Sequence, residues 1–505
     1  MDEIAGRVAD AAEIDPDEFR ARAAAEADWL KGQLEIGTFD NTRANVGFEY
    51  EFYAVDDPTG VLRRVPEPLL SLIGFERELG RHNAELTASP QPLGPHGLAA
   101  VRREVQAAVR SAHDAAADSE GMRLVSDGLW TVPPVSETAA EYFTDTETRD
   151  GLVLSSNLTP SVRYHLLTNS SAYDGRMRID APNASLDART VAPSSMTTTI
   201  QPHYQMSVAA DLPTYFRYAL RIAGPLVALA ANSPLFPPSL YDEGATVEDV
   251  LAEGHCEGRI RVFESVMNDP DGTRKVAFPR DLDSTAHAVD RLVADPLLAP
   301  VALDRDDRLD DQFAHIRHKH GTYWRWVRPV FEGADEASAN ARIEFRPLPA
   351  QPTVRDSVAF LAAFAGLMEG LVRADHPVAD LSWERARENF YEAARNGLDA
   401  ETAWITADGT RTTDTDRLYD DLFRHARSGL TACGFEAADA RAVLRPLRER
   451  VRRRTTPASW KRDRLREHAE AGTPLEGAVL AVKRAYINRQ SETLVTGLFT
   501  DWPGV

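Results

Sequence analysis

The chain has 505 residues, 43% of them hydrophobic, with 57 Lys+Arg against 78 Asp+Glu and a formal charge of −21. That apolar share excludes the disordered class, and at roughly 150 residues per domain the length allows two to three structural units. The negative excess disfavours binding to nucleic acid or to an anionic membrane surface. Two cysteines, Cys256 and Cys433, exclude a disulfide framework and speak against a cysteine-rich zinc site.

The acidic start, Met1-Asp2-Glu3-Ile4, lacks the basic and apolar regions of a secretory signal. Residues 1–37 predict helix, with Asp15 and Asp17 as caps. Residues 46–56 switch to period two, Phe48, Tyr50 and Phe52 alternating with Glu49 and Glu51. Gly80–Thr87 is a second strand-like piece. Gly97–Ala117 predicts helix, with Leu98, Val101, Val105 and Val109 on one face, and Leu124–Asp127 a strand after it. Residues 133–160 read as irregular. Thr197–Val208 alternates again, and Leu212–Ala231 is helical up to Asn232-Ser233-Pro234. Tyr323–Phe331 and Arg342–Leu348 read as strands, Val354–Arg373 as a long apolar helix, and everything after about 380 as helix. The apolar stretches Ile222–Ala231 and Val358–Met368 fall short of the ~20 residues that span a bilayer. A cytoplasmic protein is expected. The pattern is α+β, and one-sided alternation suits an antiparallel sheet. The expected division is an N-terminal helical segment (1–45), a sheet-bearing domain (46–375) and a helical C-terminal region (376–505).

Four strands carry chemistry. On a strand, residues i and i+2 share a face about 7 Å apart. Glu49 and Glu51 therefore project together, and paired carboxylates repel unless a cation lies between them. They read either as a solvated edge or as oxygen ligands for a hard ion such as Mg²⁺. Glu344 and Arg346 share a face in Arg342-Ile343-Glu344-Phe345-Arg346-Pro347, as an ion pair or as a metal ligand beside an anion-binding group. Gln201, His203 and Gln205 line one face of their strand, and Glu85 stands in Arg81-His82-Asn83-Ala84-Glu85. If these strands form one sheet, Glu49, Glu51, Glu85, His203, Glu344 and Arg346 converge on one face as a multi-metal phosphoryl-transfer site.

Walker A, H-E-x-x-H and G-x-S-x-G motifs are absent from the sequence. His315, His318 and His320 read as surface or phosphate-proximal groups, without a metal of their own. Basic residues cluster at 445–466, read as helix arginines paired with acids or as a docking surface for an acidic partner or subunit, or for RNA. Only five basic residues are lysines (31, 275, 319, 461, 483), against 52 arginines. That bias, with abundant Asp, points to a salt-adapted, halophilic proteome, where charges are screened within about 3 Å at molar salt.

In order along the chain, these segments resemble glutamate–cysteine ligase family 2. Gly47-Phe48-Glu49-Tyr50-Glu51-Phe52 resembles its G-x-E-x-E-F strand, Ile200–Ser207 its Gln/His strand, and Ala231-Asn232-Ser233-Pro234 its A-N-S-P turn. Gly321-Thr322-Tyr323-Trp324 with Arg328 resembles its G-T-x-W…R strand. Ile343–Arg346 with Gln351-Pro352-Thr353 resembles its V-E-x-R…Q-P-T segment, and Glu388–Ala400 its N-x4-A-x-R-x-G-L-D-A helix. The match covers residues 46–402. Pro347–Ala350 departs from it, residues 236–320 match poorly although much of the amino-acid pocket is expected there, and the tail after about 405 has no counterpart.

The resemblance implies an antiparallel sheet of glutamine synthetase/guanido kinase type. It implies that ATP phosphorylates the γ-carboxylate of glutamate and that the amine of cysteine attacks the acyl phosphate, giving γ-glutamylcysteine. ATP and Mg²⁺, with Mn²⁺ as the alternative ion, are the implied cofactors. Glu49, Glu51, Glu85, His203 and Glu344 are the expected metal ligands. Arg346 is expected to clamp the phosphoryl group, Arg328 to support it, and Gln201 to contact the nucleotide. The expected partners are glutamate and cysteine or another amine, with no nucleic acid and no membrane; a homo-oligomer is compatible. The alternatives are a paralogue with another acceptor, a phosphotransferase or amide hydrolase, or a non-catalytic binding protein.

Overall fold

The computed structural model describes residues 2–505 except 171, 172, 174, 270, 271, 273, 304 and 305. Its centre is a seven-stranded antiparallel sheet. The strands are β1 (Asn45–Asp56), β2 (Leu62–Arg63), β3 (Asn83–Pro92), β4 (Met122–Val125), β5 (Ile200–Gln205), β6 (Val327–Glu332) and β7 (Asn340–Phe345). Their order is β6-β7-β5-β1-β2, and β3 and β4 also pair with β1. The alternation predicted in β1 holds: Phe48, Tyr50 and Phe52 are buried together, with Tyr50 donating to the Gln351 carbonyl at 3.0 Å.

The N-terminal helix divides into α1 (Asp2–Ala12) and α2 (Pro16–Glu35). Asp15 caps α2 by accepting from the Asp17 amide at 2.8 Å, and Pro16 takes a first-turn position that needs no donor. Later helices are α3 (Pro95–Glu120), α4 (Leu212–Ala230), α5 (Gly258–Met267), α6 (Val354–Arg373), α7 (Trp383–Asn396) and α8 (Thr415–Ala432). The last three are α9 (Ala437–Arg453), α10 (Pro457–Glu470) and α11 (Leu475–Thr493). Helices α4 and α6 pack on the sheet, where Phe345 of β7 stacks on Phe364 of α6 at 4.6 Å. One core cluster runs from Ile4 to Leu494 and crosses both expected boundaries, 45/46 and 375/376.

Two stretches differ from expectation. Residues 133–160 hold a short helix, Ala139–Thr144, and a hairpin of Thr146–Arg149 with Leu152–Ser155. Its turn is Asp150-Gly151, both at positive φ, the pairing that closes a two-residue hairpin. The region after 380 is not wholly helical, because Trp404–Ile405 pairs with Arg411–Thr412.

The C-terminal helices are pinned by buried charge. Asp127, just past β4, meets both Lys461 of α10, at 2.5 Å, and Lys483 of α11. Lys461 also donates to the Asn232 carbonyl at 2.6 Å and to its side chain at 2.9 Å. Arg450 of α9 pairs with Asp356 of α6 at 3.0 Å, both fully buried. Most other arginines of 445–466 that form ion pairs do so on the surface, as Arg452–Glu449, Arg464–Glu467 and Arg466–Asp463 do. Among the described residues, no helix is long and apolar enough to cross a membrane.

Candidate active site

Sheet register assembles the site. Glu49 lies opposite Gln201, Gly47 and Glu344 both lie opposite His203, and Glu51 lies opposite Glu85. All eight residues expected from sequence therefore stand on one face, contributed by β1, β3, β5, β6 and β7 and by Arg346 directly after β7.

They form two neighbouring clusters. Glu49, His203 and Glu344 bring their ligand atoms within 4.8 Å of one another, and Glu51, Glu78 and Glu85 do the same. In the first, His203 Nε2 faces Glu49 Oε1 at 3.4 Å and has no hydrogen-bond partner although buried. Glu344 is bound by Arg328 at 2.9 Å and by Arg346 at 2.5 Å. In the second, Glu51 accepts from the Thr199 amide and hydroxyl, both at 2.7 Å, and from Gln201 Nε2 at 2.8 Å. Gln201 links the clusters, since its Oε1 accepts from Arg346 at 2.6 Å. Gln201 is thus held by the protein on both ends. Arg328 binds Glu344 through Nε and donates from Nη1 to the carbonyls of His320 and Tyr323.

Electrostatics separates one carboxylate from the rest. Burial would raise Glu344, yet the Arg328 and Arg346 guanidiniums outweigh it and hold the group well below the usual range. The others face no such excess of cations. Burial, and then the charge of Glu344, pushes Glu49 up to about 7. Burial and Glu51 push Glu78 up to about 8. Glu85 is raised further by burial and by Glu49, Glu78 and Glu51, and Glu51 is raised by burial. His203 is driven down to about 3 by burial, which keeps its imidazole neutral.

Crowded carboxylates that resist ionisation, beside a neutral imidazole with a bare nitrogen, lack positive charge. Oxygen-rich donor sets with one imidazole suit hard divalent ions of the Mg²⁺ and Mn²⁺ kind. The residues present fit such ions.

Sequence reasoning did not single out Glu78. It lies in the irregular segment before β3, where no alternation marks a direction. The glycine after it has a physical reason. A Cβ on Gly80 would stand 2.6 Å from Asn83 Oδ1 and 2.7 Å from the Ser195 Cβ, so only glycine lets the turn into β3 close this tightly.

A cavity of about 70 Å³ opens beside Glu51, Glu78 and Arg346. Its far wall is Phe263 and Met267 of α5 with Trp324 and Trp326. Two of these four lie in the 236–320 stretch where amino-acid contacts were expected. Of the histidines of 315–320, His320 adjoins the first cluster, its carbonyl accepting from Arg328 at 3.0 Å, and all three are less exposed than a surface position would leave them. His315 is buried against Glu26 at 2.6 Å, and His320 is engaged by the Pro329 carbonyl at 3.0 Å.

The family model described as glutamate–cysteine ligase family 2 matches residues 45–484. No curated protein matches the sequence. Among solved structures, the chain is similar to a glutamate–cysteine ligase from Francisella tularensis in complex with AMP. The identity is 12% and the TM-score 0.52, covering 90% of this chain and 91% of that one. It is also similar to a bifunctional glutathione synthetase from Pasteurella multocida, at 14% identity and TM-score 0.50. There the match covers 92% of this chain and 55% of the other, so this chain spans about half that protein's length. At such identities the likeness is one of fold.

Proposed function

The chain belongs to glutamate–cysteine ligase family 2, and from that premise we propose that it is an ATP- and Mg²⁺-dependent carboxylate–amine ligase. Its first expected reaction joins the γ-carboxylate of glutamate to the amine of cysteine or of another small acceptor. ATP phosphorylates the acid, the amine displaces phosphate from the acyl phosphate, and ADP and phosphate leave.

One observation carries this reading: five glutamates and a neutral histidine converge with two arginines on one sheet face, beside a cavity. Glu49, Glu51, Glu78, Glu85, His203 and Glu344 would hold the divalent ions. When bound, those ions supply charge that lets two anions, the nucleotide and the acid, approach each other.

The protein's own groups do the rest. Glu344 holds Arg346 in place, and Gln201 fixes the guanidinium from the other side. Arg346 thereby presents a fixed positive charge where phosphoryl charge develops, which needs no reorganisation during the reaction. Arg328 anchors Glu344 from behind. Thr199 orients Glu51 through two hydrogen bonds. No general base is required, because positioning and charge neutralisation dominate phosphoryl transfer.

The test is ADP release with product mass, using glutamate and a panel of amines with Mg²⁺ at molar KCl. Release that needs both an acid and an amine, with an amide of the summed mass, is the expected result. ADP release without amide would instead indicate a phosphotransferase. Amide hydrolysis without ATP would indicate a hydrolase, and no ATP binding a non-catalytic protein.

A further inference from the structure

Arg346 stands one residue beyond β7, so the strand ladder that places Glu344 does not reach it. Glu344 and Gln201 hold its side chain, but a guanidinium is no better placed than the backbone that carries it. Two contacts outside the ladder fix that backbone. The Arg346 amide donates to the Trp326 carbonyl at 2.9 Å, and the carbonyl of the next residue, Pro347, accepts from Arg259 Nη2. Pro347 has no amide hydrogen, so its carbonyl is the one backbone group by which it can be held.

Arg259 reaches both contacts. Besides binding the Pro347 carbonyl, its guanidinium lies over the Trp326 ring, 5.2 Å from the centroid. Arg259 is itself fixed at the start of α5. Its Nε donates to Glu257 Oε1 at 2.9 Å, and its amide donates to Ser233 Oγ at 3.1 Å. The other Glu257 oxygen accepts from the Asn232 amide at 3.0 Å. Glu257 and Arg259 are 0% and 1% exposed. A buried ion pair adds little stability over apolar side chains of similar volume, because desolvation cancels much of the attraction. It does add direction. A planar guanidinium with donors in a fixed fork meets Glu257 and Pro347 at set angles.

Resting on the ligase reading above, we propose that Glu257 and Arg259 are positioning residues for the phosphoryl clamp. Glu257 orients Arg259, and Arg259 sets the place of Arg346 through the Pro347 carbonyl and the Trp326 ring. The pair acts on the reaction only through Arg346. The turn Asn232-Ser233 is the base on which both members rest.

The experiment measures ADP release with glutamate, cysteine, ATP and Mg²⁺. It compares wild type, Arg259→Lys and the double variant Glu257→Gln/Arg259→Met, each alone and combined with Arg346→Ala. The double variant removes both charges at nearly constant volume and keeps an acceptor for the Asn232 amide. It should retain its melting curve and lose kcat about 10²-fold, the effect of a misplacement of about 1 Å, with KM for every substrate unmoved. Arg259→Lys keeps the charge without the fork, and its kcat should fall between the two. On the Arg346→Ala background neither change should lower kcat further, because residues that act as one unit are not additive. A wild-type kcat in the double variant overturns the proposal, as do losses that add to that of Arg346→Ala. A raised KM with kcat kept would make Arg259 a substrate contact and overturns it too. If the double variant does not fold, Arg259→Lys carries the same comparison with Arg346→Ala. If wild type forms no amide, the ligase reading is what fails. Calorimetry of ADP, Mg²⁺ and aluminium fluoride, a mimic of the transferring phosphoryl group, then decides the positioning. Binding weakened by Arg259→Lys and by Arg346→Ala, and no further by the two together, supports it; unweakened or absent binding overturns it.

Discussion

The protein buries charge in two places, and the two are built oppositely. On the sheet face, Glu49, Glu51, Glu78, Glu85 and Glu344 crowd together against the guanidiniums of Arg328 and Arg346. Behind β4, Asp127 sits between Lys461 and Lys483, and Arg450 meets Asp356. In the second place each charge faces its opposite, and Lys461 fills its donors with Asp127 and Asn232. In the first, burial and then neighbouring carboxylates push Glu49 and Glu78 toward the protonated form, and a buried imidazole nitrogen is left bare. Completed pairs inside a protein are structural, because removing one partner strands the other at high cost. An uncompensated surplus of one sign is retained where a ligand completes it.

Substitutions can break this contrast. The largest effect is expected from Asp127→Ala, which strands two buried ammoniums and should cost about 3–5 kcal/mol of stability. Denaturant titration checks it, and a loss below about 1 kcal/mol would mean the lysines do not depend on Asp127. Next, Arg346→Ala and Glu51→Gln should each lower kcat about 10²–10³-fold, the range for removing one preorganised electrostatic contact. Retained turnover in both would remove the site assignment. Third, saturating Mg²⁺ should stabilise wild type by about 2.7 kcal/mol at a hundred times its Kd, and Glu85→Gln should shrink that gain, read as a shift in Tm. A gain that survives in Glu85→Gln would place the ion elsewhere.

A further effect is a pH dependence of the lysine pair. Burial, against the pull of Asp127, brings Lys461 down to about 7 from an ordinary lysine value near 10.5. Between those values the unfolded chain binds a proton that the folded chain has released. Stability should therefore rise as pH goes from about 7 toward 10.5, and Lys461→Met should flatten the rise. Melting temperatures across that range, compared between the two proteins, decide it.

Sequence and structure divide along the same line. Alternation in β1, β5 and β7 is visible to the eye, so Glu49, Glu51, His203 and Glu344 could be named from period and chemistry alone. Glu78 could not, because it lies in irregular chain where no period assigns a direction. The Asp150-Gly151 hairpin was legible in principle, and short strands among polar residues concealed it. The scarce lysines were read as a mark of habitat. Four of the five are buried, two of them on Asp127 and two about Asp295. A compact ammonium with three donors fits such sites where a planar guanidinium does not.

What the sequence determined by itself is local: which residues alternate, which face a carboxylate takes, and which motifs follow one another. Register was decided only by the fold. Glu51 meets Glu85, and Glu344 meets His203, because strands distant in sequence pair at one offset, and a slip of one residue would turn each side chain to the other face. The partners of buried charges were likewise decided in three dimensions. Asp127 and Lys483 lie 356 residues apart, and no local pattern encodes a contact of that range.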